Sequence, residues 1–434
     1  MEKVLNIWIA ALFVLLLALT GCGTRPFTES RKVPVAFCES ADMKGWTMNL
    51  KDYALSVKSG ERTFALRVQD GCFLRFSGHG PEKARNSEFG PLQKEYGPLL
   101  SKLLDAALVF GARQRSGNFT LDVKWELYAR SITKWAQKWK ASDLVKQKKN
   151  LNTRKNYCRL VDMISRSVRE DMKPVLEELG FTATGVDMEK MSFQKASWFK
   201  YYKQVLAPEG IAPDQEIPVP LMLYLKVIAE PETIPARPLT GAAVDSIFCS
   251  ARKDDTTLYV SYQSVLDEYE ISGSHKEKDG TYASFAPLSD PGYISESARF
   301  LRAALNATGA ASQPEISLRL NVHMYPKLES ELTERFTLST EVMQKTAMPR
   351  IELSNTPFFS YKPLPGTGFV DSIQPLLKAC GYTFHSLQVS VSNEMRAGEH
   401  PEYKARYKIA GLKPHDRLWT PDIVYVIAGK SRAE

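Results

Sequence analysis

The sequence predicts an α+β protein of two homologous tandem two-layer sandwiches, each assembled from repeated strand-helix-strand units. Three observations predict it. An aromatic-x-Pro-Leu segment recurs as FGPL (Phe89 to Leu92), FAPL (Phe285 to Leu288) and YKPL (Tyr361 to Leu364), and each aromatic is followed 20 to 24 residues later by a glycine, Gly111, Gly309 and Gly381. Between these landmarks apolar residues recur at helical spacing, and after the glycine they alternate at period two. A constant offset of 201 residues relates Gly180 to Gly381, Pro213 to Pro414, Pro220 to Pro421 and Tyr224 to Tyr425, and over this stretch KPVLEELGF (Lys173 to Phe181) aligns with QPLLKACGY (Gln374 to Tyr382).

Each element has its own reason. The helix faces are Leu99, Leu100, Leu103, Leu104, Ala107 and Leu108 in the first unit; Phe300, Leu301, Ala304 and Leu305 in the second; and Val370, Ile373, Leu376, Leu377 and Cys380 in the third. The glycines after them are expected to stop the helices by turning left-handed. Phe119 to Tyr128, Ile316 to Tyr325 and the run holding Leu387, Val389 and Val391 are expected strands with one face on a core and one in water. Proline ends a strand because it cannot donate to the ladder, so the aromatic-x-Pro-Leu segment marks a strand end whose aromatic and leucine fill a corner of the core. A weaker fourth copy is expected to begin at YCRL (Tyr157 to Leu160). SGHG (Ser77 to Gly80) and SGSH (Ser272 to His275) are expected to be equivalent turns. Helices on one face of a sheet give two layers. The first repeat domain is placed at residues 35–228, an extended Pro-rich linker at 229–241 and the second repeat domain at 242–434.

The amino terminus carries a separate signal. Ile7 to Leu19 is an unbroken apolar run of 13 residues. A membrane-spanning helix needs roughly 20, whereas a signal-peptide core is shorter and is followed by small residues. Leu19-Thr20-Gly21-Cys22 resembles the lipobox of bacterial lipoproteins. The resemblance implies that residues 1–21 are a leader, that the Cys22 thiol receives diacylglycerol and that the freed Cys22 amine is acylated, with 22–34 a flexible tether. Glu2 offsets Lys3, so the positive start usual for such leaders is weak, and an uncleaved anchor over Val4 to Cys22 stays open. By the same resemblance, Gly23 rather than Asp after the cysteine points to the outer membrane and the periplasm, with the inner membrane as the other location. The repeat unit is loosely similar to domains of small outer-membrane lipoproteins of unknown function.

The chain has 434 residues, 44% hydrophobic and 24% charged, which is a globular composition. Beyond Cys22 lie Cys38, Cys72, Cys158, Cys249 and Cys380, an odd number without a CxxC, so neither a disulfide framework nor a zinc site is indicated. Cys38 and Cys249 both follow phenylalanine and are expected to be equivalent positions of two copies rather than a bridge. From Arg130 to Arg159 ten basic residues face one acidic residue, Asp143, giving +9 where the whole chain carries +8. This segment nominates Lys134, Lys138, Lys140, Lys146, Lys148, Lys149, Arg154 and Lys155, with Trp135 and Trp139, as a contact for an anionic surface, lipid headgroups or an envelope protein. A solvated helix face with both tryptophans turned to the core is the competing reading. Nucleic acid is not expected behind a secretion signal.

Catalytic signatures are missing: there is no GxSxG, HExxH, P-loop or GxGxxG. His79, His275, His323, His385, His400 and His415 show no metal-ligand spacing, and the pairs Asp254-Asp255 and Asp267-Glu268 lack a third carboxylate. No cofactor or metal is expected. The sequence thus favours a non-enzymatic, lipid-anchored binding or envelope-assembly module. A glycan or small-ligand binder with a cleft between the repeats, and an enzyme with an unrecognised site, remain as alternatives.

Overall fold

The structure, a computed structural model, describes residues 36–81, 88–146, 153–189, 191–220, 222–229, 239, 241–288, 290–325, 328, 358–361, 368–399, 404, 408, 413–415 and 417–431. The expected leader, Cys22, the expected tether, most of the expected Pro-rich linker, Lys148 and Lys149 lie outside the described residues. The fold is α+β, with a large, mostly antiparallel sheet and several helices.

A single helical turn, α1 (Phe37–Ser40), precedes the meander β1 (Thr47–Ser59), β2 (Arg62–Gln69) and β3 (Phe73–His79). Alternation builds it: Tyr53, Leu55 and Val57, then Phe64, Leu66 and Val68, then Leu74 and Phe76 are all buried on one face. The chain next passes β4 (Glu88–Phe89) and α2 (Gly97–Phe110) to reach β5 (Gly117–Val123), which pairs in parallel with β3. A parallel neighbour cannot be reached by a tight turn, so a helix must cross over. After α3 (Ala129–Lys140) and α4 (Arg154–Glu178) come β6 (Phe181–Met188), a separate pair of β7 (Met191–Lys195) with β8 (Glu216–Pro220), and β9 (Leu223–Ala229). β9 lies between β5 and β6.

The second half supplies β10 (Ala243–Lys253), β11 (Thr256–Gln263), β12 (Glu268–Lys276), β13 (Tyr282–Phe285), α5 (Ile294–Ala307), β14 (Glu315–Asn321), β15 (Phe358–Tyr361), α6 (Gly368–Ala379), β16 (Tyr382–Arg396) and β17 (Arg417–Lys430). β12 and β14 are parallel, again across a helix, α5. Strand order is β1-β2-β3-β5-β9-β6 in the first half and β10-β11-β12-β14-β17-β16 in the second. β1 and β10 pair antiparallel, from Thr47 opposite Arg252 to Ser56 opposite Ala243, so both halves belong to one sheet. Directly opposed residues share a face, and an apolar row crosses twelve strands: Leu387, Val426, Leu318, Tyr269, Tyr262, Ile247, Tyr53, Val68, Leu74, Leu121, Leu225 and Val186. The helices cover this face. Burying each such side chain contributes about 1.5–3 kcal/mol, so the row commits the sheet to one register.

Several expectations need correction. The strands expected over Phe119 to Tyr128 and Ile316 to Tyr325 stop early, at Val123 and Asn321, and each gives way to one 3-10 turn, Trp125–Leu127 and Val322–Met324. His323 is therefore in a turn rather than on a strand. YCRL begins no fourth unit, because it lies inside α4. SGHG and SGSH are not turns: Ser77 to His79 belong to β3, and Ser272 to His275 belong to β12. Their glycines have another cause. Gly78 faces Phe89 across β4 and Gly273 faces Phe285 across β13; an added Cβ would sit 2.6 Å and 2.5 Å from the two rings. In FGPL and FAPL the aromatic thus ends its strand and lies over a glycine notch, whereas Tyr361 of YKPL ends β15 opposite Leu387.

Gly309 and Gly381 do turn left-handed, at φ +69° and +82°, but Gly111 stays at φ −80° and Ala112 takes the left-handed place at +51°. Gly111 is glycine for space, since a Cβ would meet the Tyr53 hydroxyl. Cys38 and Cys249 are not equivalent positions, because one lies on α1 and the other on β10.

At the seam, a bulge between Ala54 and Leu55 leaves Asp245 unopposed, and the Ser56 hydroxyl donates to its carboxylate at 2.7 Å. Burial pushes the Asp245 pKa up from 3.8 to about 6. A raised acid pKa means that the folded state holds the proton longer than the unfolded one. Its stabilising contribution is complete below about pH 4 and is lost as pH rises through about 6. Asp245→Asn keeps the acceptor and removes the charge. It is expected to raise stability by about 1–2 kcal/mol around pH 7.5, with the gain vanishing near pH 4, read from urea unfolding at both pH values.

Candidate functional site

The basic segment folds as α3 and the start of α4. On α3, Ile132, Trp135, Ala136 and Trp139 fall at helical spacing and are buried. Trp135 meets Trp125 edge-on at 5.3 Å and stacks with Trp139 at 6.0 Å. With exposures of 0% and 1%, Trp135 and Trp139 cannot touch an external surface, which corrects their nomination as contact residues. Their hydrophobic free energy is used in the core, beneath the segment running from Ala196 to Ile211.

The cations are partly neutralised inside the fold. Asp171 on α4 accepts from Ser131 at 2.7 Å and pairs with Arg130 and Lys134 at 3.1 Å each. Lys138 lies 3.4 Å from Glu170, and Arg159 lies 2.6 Å from Asp143, whose carboxyl it holds below the usual range by hydrogen bonding. The Lys138–Glu170 and Arg159–Asp143 pairs are solvent-screened and orient the helices more than they stabilise them, whereas Asp171 is nearly buried. Lys140, Arg154 and Lys155 are exposed and pair with no carboxylate among the described residues. Lys146 ends the 3-10 turn Asp143–Lys146.

Arg154 and Lys155 stand in the first turn of a 25-residue helix, capped by Thr153 and without an acidic residue in that turn. The positive end of the helix dipole disfavours cations there.

The sequence reading missed the neighbouring surface. In KASWFKYYK (Lys195 to Lys203) lysines alternate with aromatics, a pattern readable in the sequence. Trp198 is 69% exposed, the Lys195 ammonium lies 5.7 Å from the centre of its ring, and the Lys200 ammonium lies 5.5 Å from that of Tyr201. This segment packs against the turn that precedes α3, where Phe199 meets Trp125 at 6.4 Å, and just beyond it Glu209 accepts from Gln137 of α3 at 2.9 Å. Trp198 thus takes the exposed role that the sequence gave to Trp135 and Trp139.

The uncovered sheet face carries a second feature. Arg75 pairs with Asp122 at 2.8 Å and Glu270 with Arg319 at 2.6 Å, at matching positions of the β3-β5 and β12-β14 pairs with the sign reversed. Beside Glu270 a cavity of about 370 Å³ is lined by Tyr259, Ser272, Ser274, Tyr282, Ser284 and Asn321 among others. It lies within the second half rather than between the halves. Thr256 Oγ1 lies 2.9 Å from His275 Nδ1 and 3.2 Å from the Tyr293 hydroxyl, and none of the three residues lines that cavity. Asp254 and Asp267 occupy hairpin turns at φ +52° and +50°, and among the described residues no three His, Cys, Asp or Glu side chains converge.

No protein-family model matches the chain, and no curated protein or solved structure is significantly similar to it.

Proposed function

We propose that the protein is a bacterial lipoprotein, acylated at Cys22 and facing the periplasm from the outer membrane, that serves as a non-enzymatic binding or envelope-assembly module. We infer further that its two halves descend from one duplicated unit. The common strand order, the matching crossovers and the sign-reversed ion pairs support that reading. Lipidation rests on the leader sequence. The contact surface rests above all on one observation, Trp198 exposed with a lysine over its ring. A tryptophan ring flanked by ammonium groups suits the boundary between headgroups and acyl chains. Lys140, Lys200, Lys203, Arg154 and Lys155 supply the charge that an anionic surface would meet.

The chain from Lys32 onward clusters as one compact unit and can be assayed without lipid. It is expected to co-sediment with phosphatidylglycerol vesicles and not with phosphatidylcholine vesicles. Each Lys near an anionic surface is worth about 1 kcal/mol, so reversing Lys140, Lys200 and Lys203 to Glu is expected to weaken binding by two orders of magnitude or more. Equal binding to both vesicle types, or binding unchanged by the reversal, contradicts the surface contact. A protein partner recovered from detergent extract and lost on the same reversal would place an envelope protein there instead.

The hydroxyl-rich cavity with Tyr259 and Tyr282 favours a second reading, glycan or small-ligand binding. That reading predicts a saturable oligosaccharide titration abolished by Tyr259→Ala, with vesicle binding unaffected.

A further inference from the structure

We propose that the uncovered sheet face binds an uncharged, linear oligosaccharide along a track that starts in the cavity of the second half and crosses β11 and β10 toward the seam with β1. The proposal rests on the glycan reading of that cavity and extends it from a pocket to a surface for a chain. Strand register places the parts. Tyr269 and Ile271 of β12 are buried on the helix side, so Glu270, Ser272 and Ser274 lie on the open side. Tyr259 of β11 is directly opposite Ser272, Ser250 of β10 is opposite Tyr259, and Asn49 of β1 is opposite Ser250. Phe248, two residues before Ser250, shares that side. Its ring runs parallel to that of Tyr259, at 10° with 6.2 Å between centres. Beyond β12, Ser284 of β13 is opposite Ser274 and Tyr282 is opposite Lys276.

The chemistry of this face selects the ligand. A solvated sheet face calls for polar side chains, yet Phe248 is 36% exposed and Tyr282 63%. The core lies on the other side of the sheet and uses neither ring. A pyranose has apolar C–H faces and a rim of hydroxyls, so it suits aromatic rings bordered by groups that both donate and accept. Those groups are in place: Ser272, Ser274, Ser284 and Asn321 in the cavity, and Ser250 beyond it. The Tyr259 hydroxyl lies 3.3 Å from Ser274 Oγ, which leans the ring across β12. Two parallel rings a short step apart match successive sugars of an extended chain. Charge points to an uncharged one. The charged residue among those lining the cavity is Glu270, tied to Arg319 at 2.6 Å. Along the track Lys51, which lies over the Phe248 ring, Arg67 and Arg319 stand against Asp52, Glu268 and Glu270. An anionic sugar in the cavity would meet a carboxylate with no surplus of cations to offset it.

The full-length chain, held in a detergent without a sugar headgroup, is titrated by calorimetry with disaccharides and tetrasaccharides of β-1,4-linked glucose, β-1,4-linked N-acetylglucosamine and α-1,4-linked glucose, and with tetragalacturonate. The expected result is that one uncharged series binds, its tetrasaccharide about tenfold or more tighter than its disaccharide, and that tetragalacturonate does not bind. Phe248→Ala is expected to lose about tenfold in affinity for the tetrasaccharide, on the scale of one partly buried ring, and to keep wild-type affinity for the disaccharide. That retained affinity also shows that the variant is folded. Equal wild-type affinity for the two lengths, or tetrasaccharide binding unchanged by Phe248→Ala, overturns the track and leaves the cavity reading standing. Tetragalacturonate bound as tightly as any uncharged chain overturns the proposed ligand. Binding of no saccharide at all ends both the track and the cavity reading.

Discussion

Replacing Trp135 with alanine is expected to destabilise the protein by about 3–5 kcal/mol. The ring is wholly buried, packed edge-on against Trp125 and stacked on Trp139, and nothing in α3 can collapse to fill its volume. Truncation removes the transfer free energy and leaves a cavity between two large rings. The buried indole N–H groups of Trp125, Trp135 and Trp139 have no hydrogen-bond partner among the described residues. Trp135→Phe therefore forfeits no polar contact and is expected to cost clearly less than the alanine variant. Trp198→Ala, at 69% exposure, is expected to change stability by no more than about 0.5 kcal/mol while weakening vesicle binding. Urea unfolding of the three variants separates a tryptophan that holds the fold from one that faces outward. Equal losses for Trp135→Ala and Trp198→Ala contradict the packing described.

Cys22→Ala is expected to abolish incorporation of labelled palmitate and to remove the protein from the lipoprotein fraction. The effect should be all or none, because permanence comes from the number of chains. One acyl chain binds a bilayer reversibly, at about 10⁴ M⁻¹, and each further buried CH₂ adds about 0.8 kcal/mol. Three chains would leave no measurable dissociation, whereas the basic surface alone is expected to give binding that salt reverses. Label retained after Cys22→Ala would place the lipid elsewhere or deny it.

Local features of the fold were the ones legible in the sequence. Leu100, Leu103, Leu104 and Leu108 lie on the core side of α2, and Phe300, Leu301, Ala304 and Leu305 on that of α5, because helical periodicity is written within a dozen residues. Phe89, Phe285 and Tyr361 each end a strand, where the proline two residues on requires it. What escaped depended on distant partners. Nothing in Tyr53 or Ile247 says that β1 will pair with β10 almost 200 residues later. The glycines of SGHG and SGSH look like turn residues until Phe89 and Phe285 are seen to lie over them. At the candidate site, the lysines of Arg130 to Arg159 were legible as charge, but Glu170 and Asp171, which neutralise Lys138, Arg130 and Lys134, come from outside the segment. Trp135 and Trp139 carry the same side chain as Trp198, and only the packing of α3 decides which of them meets water.

The most direct measurement is intact-mass and peptide mass spectrometry of the amino terminus of the protein purified from membranes in detergent. The account predicts a chain beginning at Cys22, with diacylglycerol on its sulfur and a third acyl group on its amine. A chain still beginning at Met1, with an unmodified Cys22, would contradict it.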